Sequence, residues 1–157
     1  MRHLLSIIAT LAWALWFGAV MALFVFVLAL FHNNREIAVQ AAPQLFDAFE
    51  KYHLWLAAIA LAATVLWQIV APSKLVVTNF VLLAIAAGCG VVLGVWFIGP
   101  MNALREQGLS GSAEFKKLHV QSMWFFMGEA TTLLIHGIIL PAAMRRGAGK
   151  AKDTAPV

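Results

Sequence analysis

One stretch near the end of the chain gathers most of the groups able to do chemistry within an otherwise apolar sequence. His119, Ser122, Glu129 and His136 recur at separations of three and seven, so they share one stripe of a helix, with Phe126 and Leu133 between them. A carboxylic acid with a histidine two turns on suits a proton relay or a cation site. The plainer alternative is a neutral acid hydrogen-bonded to a neighbour, with His136 bonded to Gln68 or Asn79. Thr64 and Cys89 are expected at the depth of Glu129 on their own helices. A second constellation pairs His53 with His119, each read as standing near the outer end of its helix at a similar height. Two histidines from two helices at one level can hold a haem b or a metal ion in a helical bundle. Neither has ligand spacing within its own helix, and an amphipathic ring is also comfortable at an interface without a ligand. The single cysteine, Cys89, allows no internal disulfide and no CxxC motif. No phosphate loop, HExxH motif or nucleophile–base arrangement is present, so a hydrolase or kinase is not expected.

The elements that must carry these groups follow from composition. Of 157 residues, 62% are hydrophobic and 11% charged, against about 25% charged in a soluble domain. A soluble fold of this size could not cover so much apolar surface, whereas a lipid bilayer can serve as its solvent. Four apolar runs are each long enough to cross one, at about 4–31, 52–71, 75–99 and 119–140. The expectation is an all-α integral membrane bundle of four transmembrane helices over residues 1–143. Residues 144–157 are expected to form a disordered basic tail. The first run is far longer than the core of a signal peptide and is read as a retained helix.

Lys and Arg placement sets the expected orientation. Arg2, Lys74, Arg145, Arg146, Lys150 and Lys152 fall on one side, concentrated near short flanks, with Asp153 as their one acid. Arg35, Lys51, Arg105, Lys116 and Lys117 fall on the other, mixed with Glu36, Asp47, Glu50, Glu106 and Glu114. The first side is read as cytoplasmic, which puts both termini inside a bacterial inner or plasma membrane. The net charge of +4 reflects these flanks, and without a basic face nucleic acid is not an expected partner.

The connections carry further signals. Pro72, Ser73 and Lys74 make a tight hairpin, and 44–51 reads as an interfacial helix leading into the second span, with Pro43 at its first turn. Gly108, Ser110, Gly111 and Ser112 read as a flexible turn before the fourth span. Ala14, Gly18 and Ala22 in the first span, and Ala86, Gly90 and Gly94 in the third, form small-residue stripes. Such stripes let helices approach closely, within the bundle or in a homo-oligomer or membrane complex.

LWFGAVMALFVF and the following ALF at 29–31, then FEKYH at 49–53, resemble the transmembrane protein 205-like family, a domain of unknown function. IGPMNALREQ at 98–107 and FKKLHVQS at 115–122 resemble its second half, so the likeness reaches almost to Ala143. It implies a four-helix membrane domain, and Pro100, Arg105, His119 and Ser122 are the positions that match its signatures. The family opens its last helix with His-x-x-Ser-x-x-x-Asn; here Phe126 stands at the third position. The functional expectation is a multi-pass protein that handles a small ion, or serves as an accessory subunit, through the stripe of the fourth helix. The alternative is a haem- or metal-binding redox protein using His53 and His119.

Overall fold

The computed structural model describes residues 1–149, with side chains to Arg145. Among these residues there is no strand, and the helices are α1 (Arg2–Asn33), α2 (Arg35–Val70), α3 (Lys74–Val92), α4 (Gly99–Glu106) and α5 (Ala113–Gly149). Residues Leu93–Ile98 form a π-helical stretch that joins α3 to α4 without a break. The described residues therefore form four long helical rods, each long and apolar enough to cross a membrane. This is the expected all-α, four-helix bundle.

Short connections make successive rods antiparallel. Asn34 alone separates α1 from α2, and its Oδ1 accepts from the amides of Glu36 and Ile37, capping α2. At the α2–α3 hairpin the Ser73 amide donates to Gln68 Oε1 (3.1 Å). Gln68 is thus committed to the turn and does not bond His136. Beyond α4, Gly108 takes a left-handed φ of 72°, a conformation glycine adopts without steric cost, and the chain reverses into α5. Packing is densest between α1 and α2 and between α3 and α5. The α2–α3 and α1–α5 seams close the ring, and the last of these is the loosest.

Three segments differ from expectation. The interfacial helix expected at 44–51 is not separate: α2 runs unbroken from Arg35 through Pro43. The connection expected from Pro100 onward instead begins as α4. Proline cannot donate a backbone hydrogen bond, and it follows a π-helical stretch in which the ladder has already changed register. Helix α5 continues past 140, through Pro141, to Gly149. The tail assigned to 144–157 thus starts as helix, and 150–157 lie outside the described residues.

The core is narrow. Ala12, Trp16, Val20, Leu56, Ala57, Ala60, Leu83, Ala86 and Leu133 bury one another across all four rods, and Leu5, Trp67, Val76, Leu140 and Ala143 form a second layer. Many large apolar side chains face outward instead, among them Phe26, Trp55, Trp96, Trp124 and Ile138. In water such an exterior would drive aggregation, whereas hydrocarbon solvates it. The two small-residue stripes separate here. Ala86 and Gly90 are buried and Gly94 is half-buried, so that stripe serves the bundle. A Cβ at Gly90 would collide with the His53 ring, and one at Gly94 with the Glu50 carboxylate. Ala14, Gly18 and Ala22 are exposed, with no atom near the position of a Gly18 Cβ.

Replacing Gly90 with Ala should lower stability by about 1–3 kcal/mol through overpacking against His53. Gly88→Ala, where a Cβ meets open space, should leave it unchanged or slightly raised. Thermal unfolding of both variants in detergent checks the contrast.

Candidate functional site

The polar groups in the bundle segregate along the helix axis. Glu129 is 0% exposed near the middle of α5, and one α1 side chain reaches it: Trp16 Nε1 donates to Glu129 Oε1 at 2.8 Å. The other oxygen, Oε2, has no partner. Trp16 is itself fully buried, and its indole also meets the His53 ring at 6.2 Å between centroids. His53 stacks on Phe49 (5.0 Å), with Nδ1 3.4 Å from the Phe49 carbonyl and Nε2 unpartnered. Cys89, beside Gly90 on α3, borders Gly128. One indole therefore ties together the carboxyl of α5 and the imidazole of α2.

This register corrects the height assigned to His53. It lies at the level of Glu129, not of His119, which is ten residues or about 15 Å along α5. The reason is the early start of α2: His53 stands eighteen residues beyond Arg35, deep in its rod rather than at the rim. Two nitrogens that bind one metal, or the two faces of one haem, must come within a few ångströms of a common atom. His53 and His119 stand at levels about 15 Å apart along the bundle axis. His53 Nε2 lies against the backbone at Gly90. Among the described residues, no three His, Cys, Asp or Glu side chains converge as a metal site.

His53 and Glu129 stand at the floor of a cavity of about 410 Å³. His119, Ser122 and Arg105 line the same cavity, so five of the six residues singled out from the sequence share it. Ser122 donates to the His119 carbonyl (2.8 Å), and the exposed His119 ring stacks on Phe115. Arg105 donates to Asn102 Oδ1 (2.6 Å) and lies over the Phe115 ring at 5.2 Å. The sixth residue, His136, is elsewhere. It is buried two turns below Glu129 against Trp13 (5.8 Å), with both nitrogens unpartnered. Asn79 is equally buried, and neither its nitrogen nor its oxygen has a partner. The same number of residues separates Thr64 from His53 as separates Asn79 from Gly90, so Thr64 falls at the level of Asn79 rather than of Glu129. Its hydroxyl is satisfied by the Ala60 carbonyl.

Three contributors escaped the sequence reading. Trp16 sits in an uncharged apolar run, where an indole looks like one more lipid-facing ring. It stands seven residues from both Ala9 and Leu23, which share its buried face, but their residue types do not set that face apart. Asp47 and Glu50 were assigned to a surface helix, yet both line the cavity because α2 is continuous there. No family model, curated protein or solved structure matches the chain.

Trp16 supplies the one hydrogen bond that Glu129 receives, so Trp16→Phe and Glu129→Leu should be strongly coupled. A double-mutant cycle by denaturant unfolding in mixed micelles should give a coupling energy of about 1–3 kcal/mol.

Proposed function

We propose that the chain is a multi-pass membrane protein that handles protons or another small cation, with Glu129 as the group that exchanges them. The observation that carries this reading is a carboxyl group with no exposure, one oxygen held by Trp16 and the other unpartnered at the floor of a cavity. A full negative charge in such surroundings needs a compensating proton or cation. The single indole donor fixes the orientation of the carboxyl without neutralising it.

The direction of traffic follows from the layers. The cavity connects Glu129 to the end of the bundle that carries Asp47, Arg105 and His119. Below Glu129 lie His136 and Asn79, whose four buried polar atoms without partners offer way-stations toward the opposite end. In this reading both termini lie on the cytoplasmic side, and the cavity faces outward. The likeness to the transmembrane protein 205-like family agrees with the four-span architecture and adds no mechanism. The exposed stripe of Ala14, Gly18 and Ala22 supports a further role for α1 as a docking face for a second membrane helix, from another copy or from a complex.

Glu129→Gln keeps the shape and removes the exchangeable charge. Reconstituted in liposomes under an imposed pH gradient, the wild type should dissipate the gradient and the variant should not, at unchanged melting temperature. A carboxylic-acid carbonyl band that titrates in infrared difference spectra should disappear in the same variant. Wild-type flux in Glu129→Gln would remove Glu129 from the pathway.

A further inference from the structure

A site for a bare ion needs little room, whereas the cavity above Glu129 falls within the roughly 300–1,000 Å³ typical of pockets for organic ligands. Its walls are unsuited to water. Phe46 and Phe126 meet edge to face at 6.1 Å, Phe49 lies over His53, and Met101, Met123 and Met127 complete the lining. Surfaces of this kind favour contact with an apolar body. Methionines adapt to varied shapes, and aromatic faces attract cations.

The charges around the cavity point the same way. Asp47, Glu50 and Glu129 contribute three carboxyl groups. Asp47 is attracted to the Arg105 guanidinium, which is also tied to Asn102 and Phe115, and Glu50 to Lys51, so Glu129 is the carboxyl with no cation beside it among the described residues. Glu129 Oε2 is a fully buried acceptor without a donor, and it lies at the end of the apolar shaft. A ligand that satisfies both features has an apolar body and an N–H-bearing cationic head.

Its route of entry is also visible. The cavity is bounded by Phe24, Leu28 and Phe31 of α1 and by Met123 and Met127 of α5, all of them exposed on the outer surface of the bundle. These flank the loosest of the four helix seams. A molecule dissolved in the hydrocarbon would meet this seam directly.

We infer that the cavity binds an amphipathic organic ammonium ion from the lipid phase, its apolar body among the aromatic and methionine side chains and its head on Glu129. The inference rests on the reading of Glu129 as an exchangeable carboxyl group and names an organic substrate class for it. The exchange balances without any covalent change. The ammonium forms an ion pair with the Glu129 carboxylate, and the proton that the carboxyl carried leaves to solvent. The other titratable or charged groups around this exchange are Asp47, Glu50 and His53 on α2, Cys89 on α3, Arg105 on α4 and His119 on α5; α1 contributes only the neutral Trp16.

Calorimetric titration of the protein in nanodiscs with 4-phenylbutylamine, corrected with empty nanodiscs, tests this against the matched 4-phenylbutanol and 4-phenylbutyrate. Saturable binding of the amine should be at least about tenfold tighter than of either analogue. In buffers of different ionisation enthalpy it should release about one proton per ligand bound. Glu129→Gln should weaken the amine by about tenfold or more and leave the alcohol unchanged. Met127→Trp, which fills the shaft while leaving Glu129 in place, should weaken the amine as well. Equal binding of amine and alcohol, or amine binding unaffected by Glu129→Gln, would overturn the inference. So would a titrating Glu129 carbonyl band and proton flux in a protein that shows no saturable amine binding, a result that leaves the small-cation reading standing. Amine binding without any Glu129-dependent flux or infrared band would instead overturn the small-cation reading.

Discussion

The hydrogen bond from Trp16 to Glu129 is the contact on which the arrangement of the site depends. A carboxyl group at the centre of an apolar bundle has few ways to be satisfied, and here one indole N–H from the opposite side of the α1–α5 seam does half of that work. Leaving a buried polar atom unpaired costs about 1–3 kcal/mol, a large part of the stability of any domain. Together with the Trp13 indole, which donates to the Leu133 carbonyl (2.8 Å), the bond fixes the rotation of α1 about its axis. With Trp16 turned inward, Ala9, Ala12, Val20 and Leu23 also face the core, and Ala14, Gly18 and Ala22 face out.

Close approach of α3 to α2 supplies the second constraint. Gly90 and Gly94 remove the side chains that would otherwise hold the rods apart, and His53 and Glu50 occupy the space so released. Without a hydrophobic effect between helices in lipid, such van der Waals contact is a main source of association. The same approach presses the His53 ring between Phe49, Trp16 and Gly90, so its position is set by packing. Above this level α3 passes into its π-helical stretch, and the cavity lies between the rods. π-Helical turns are frequent at functional sites, because one extra residue per turn alters which side chains face inward. Here the stretch carries Leu93 and Ile98 into the cavity wall.

The lower polar layer follows a different logic from the upper one. Asn79 and His136 are as buried as Glu129, yet neither lines the cavity and none of their side-chain polar atoms has a protein partner. Buried polar groups of this kind are commonly bridged by internal water. An upper layer beside the cavity and a lower one set apart from it give the bundle two unlike halves.

Much of this protein could be read from the sequence because the signals are large. Four uninterrupted apolar runs, punctuated by Pro72-Ser73 and by the glycines near 108, leave no solution except membrane-length helices. The three- and seven-residue spacing of His119, Ser122 and Glu129 likewise requires one helical face, and all three line the cavity. Relative heights between helices are another matter. A residue's depth depends on where its rod begins, and α2 begins at Arg35 because Asn34 caps it, not at the first apolar residue of the span. That early start carried His53 from the rim down to the level of Glu129 and brought Asp47 and Glu50 to the cavity wall. Which of two equivalent small-residue stripes is buried was also decided only in three dimensions. Periodicity marks a face as suitable for close packing, but the partner side chains that need the space, His53 and Glu50 on α2, are what select it.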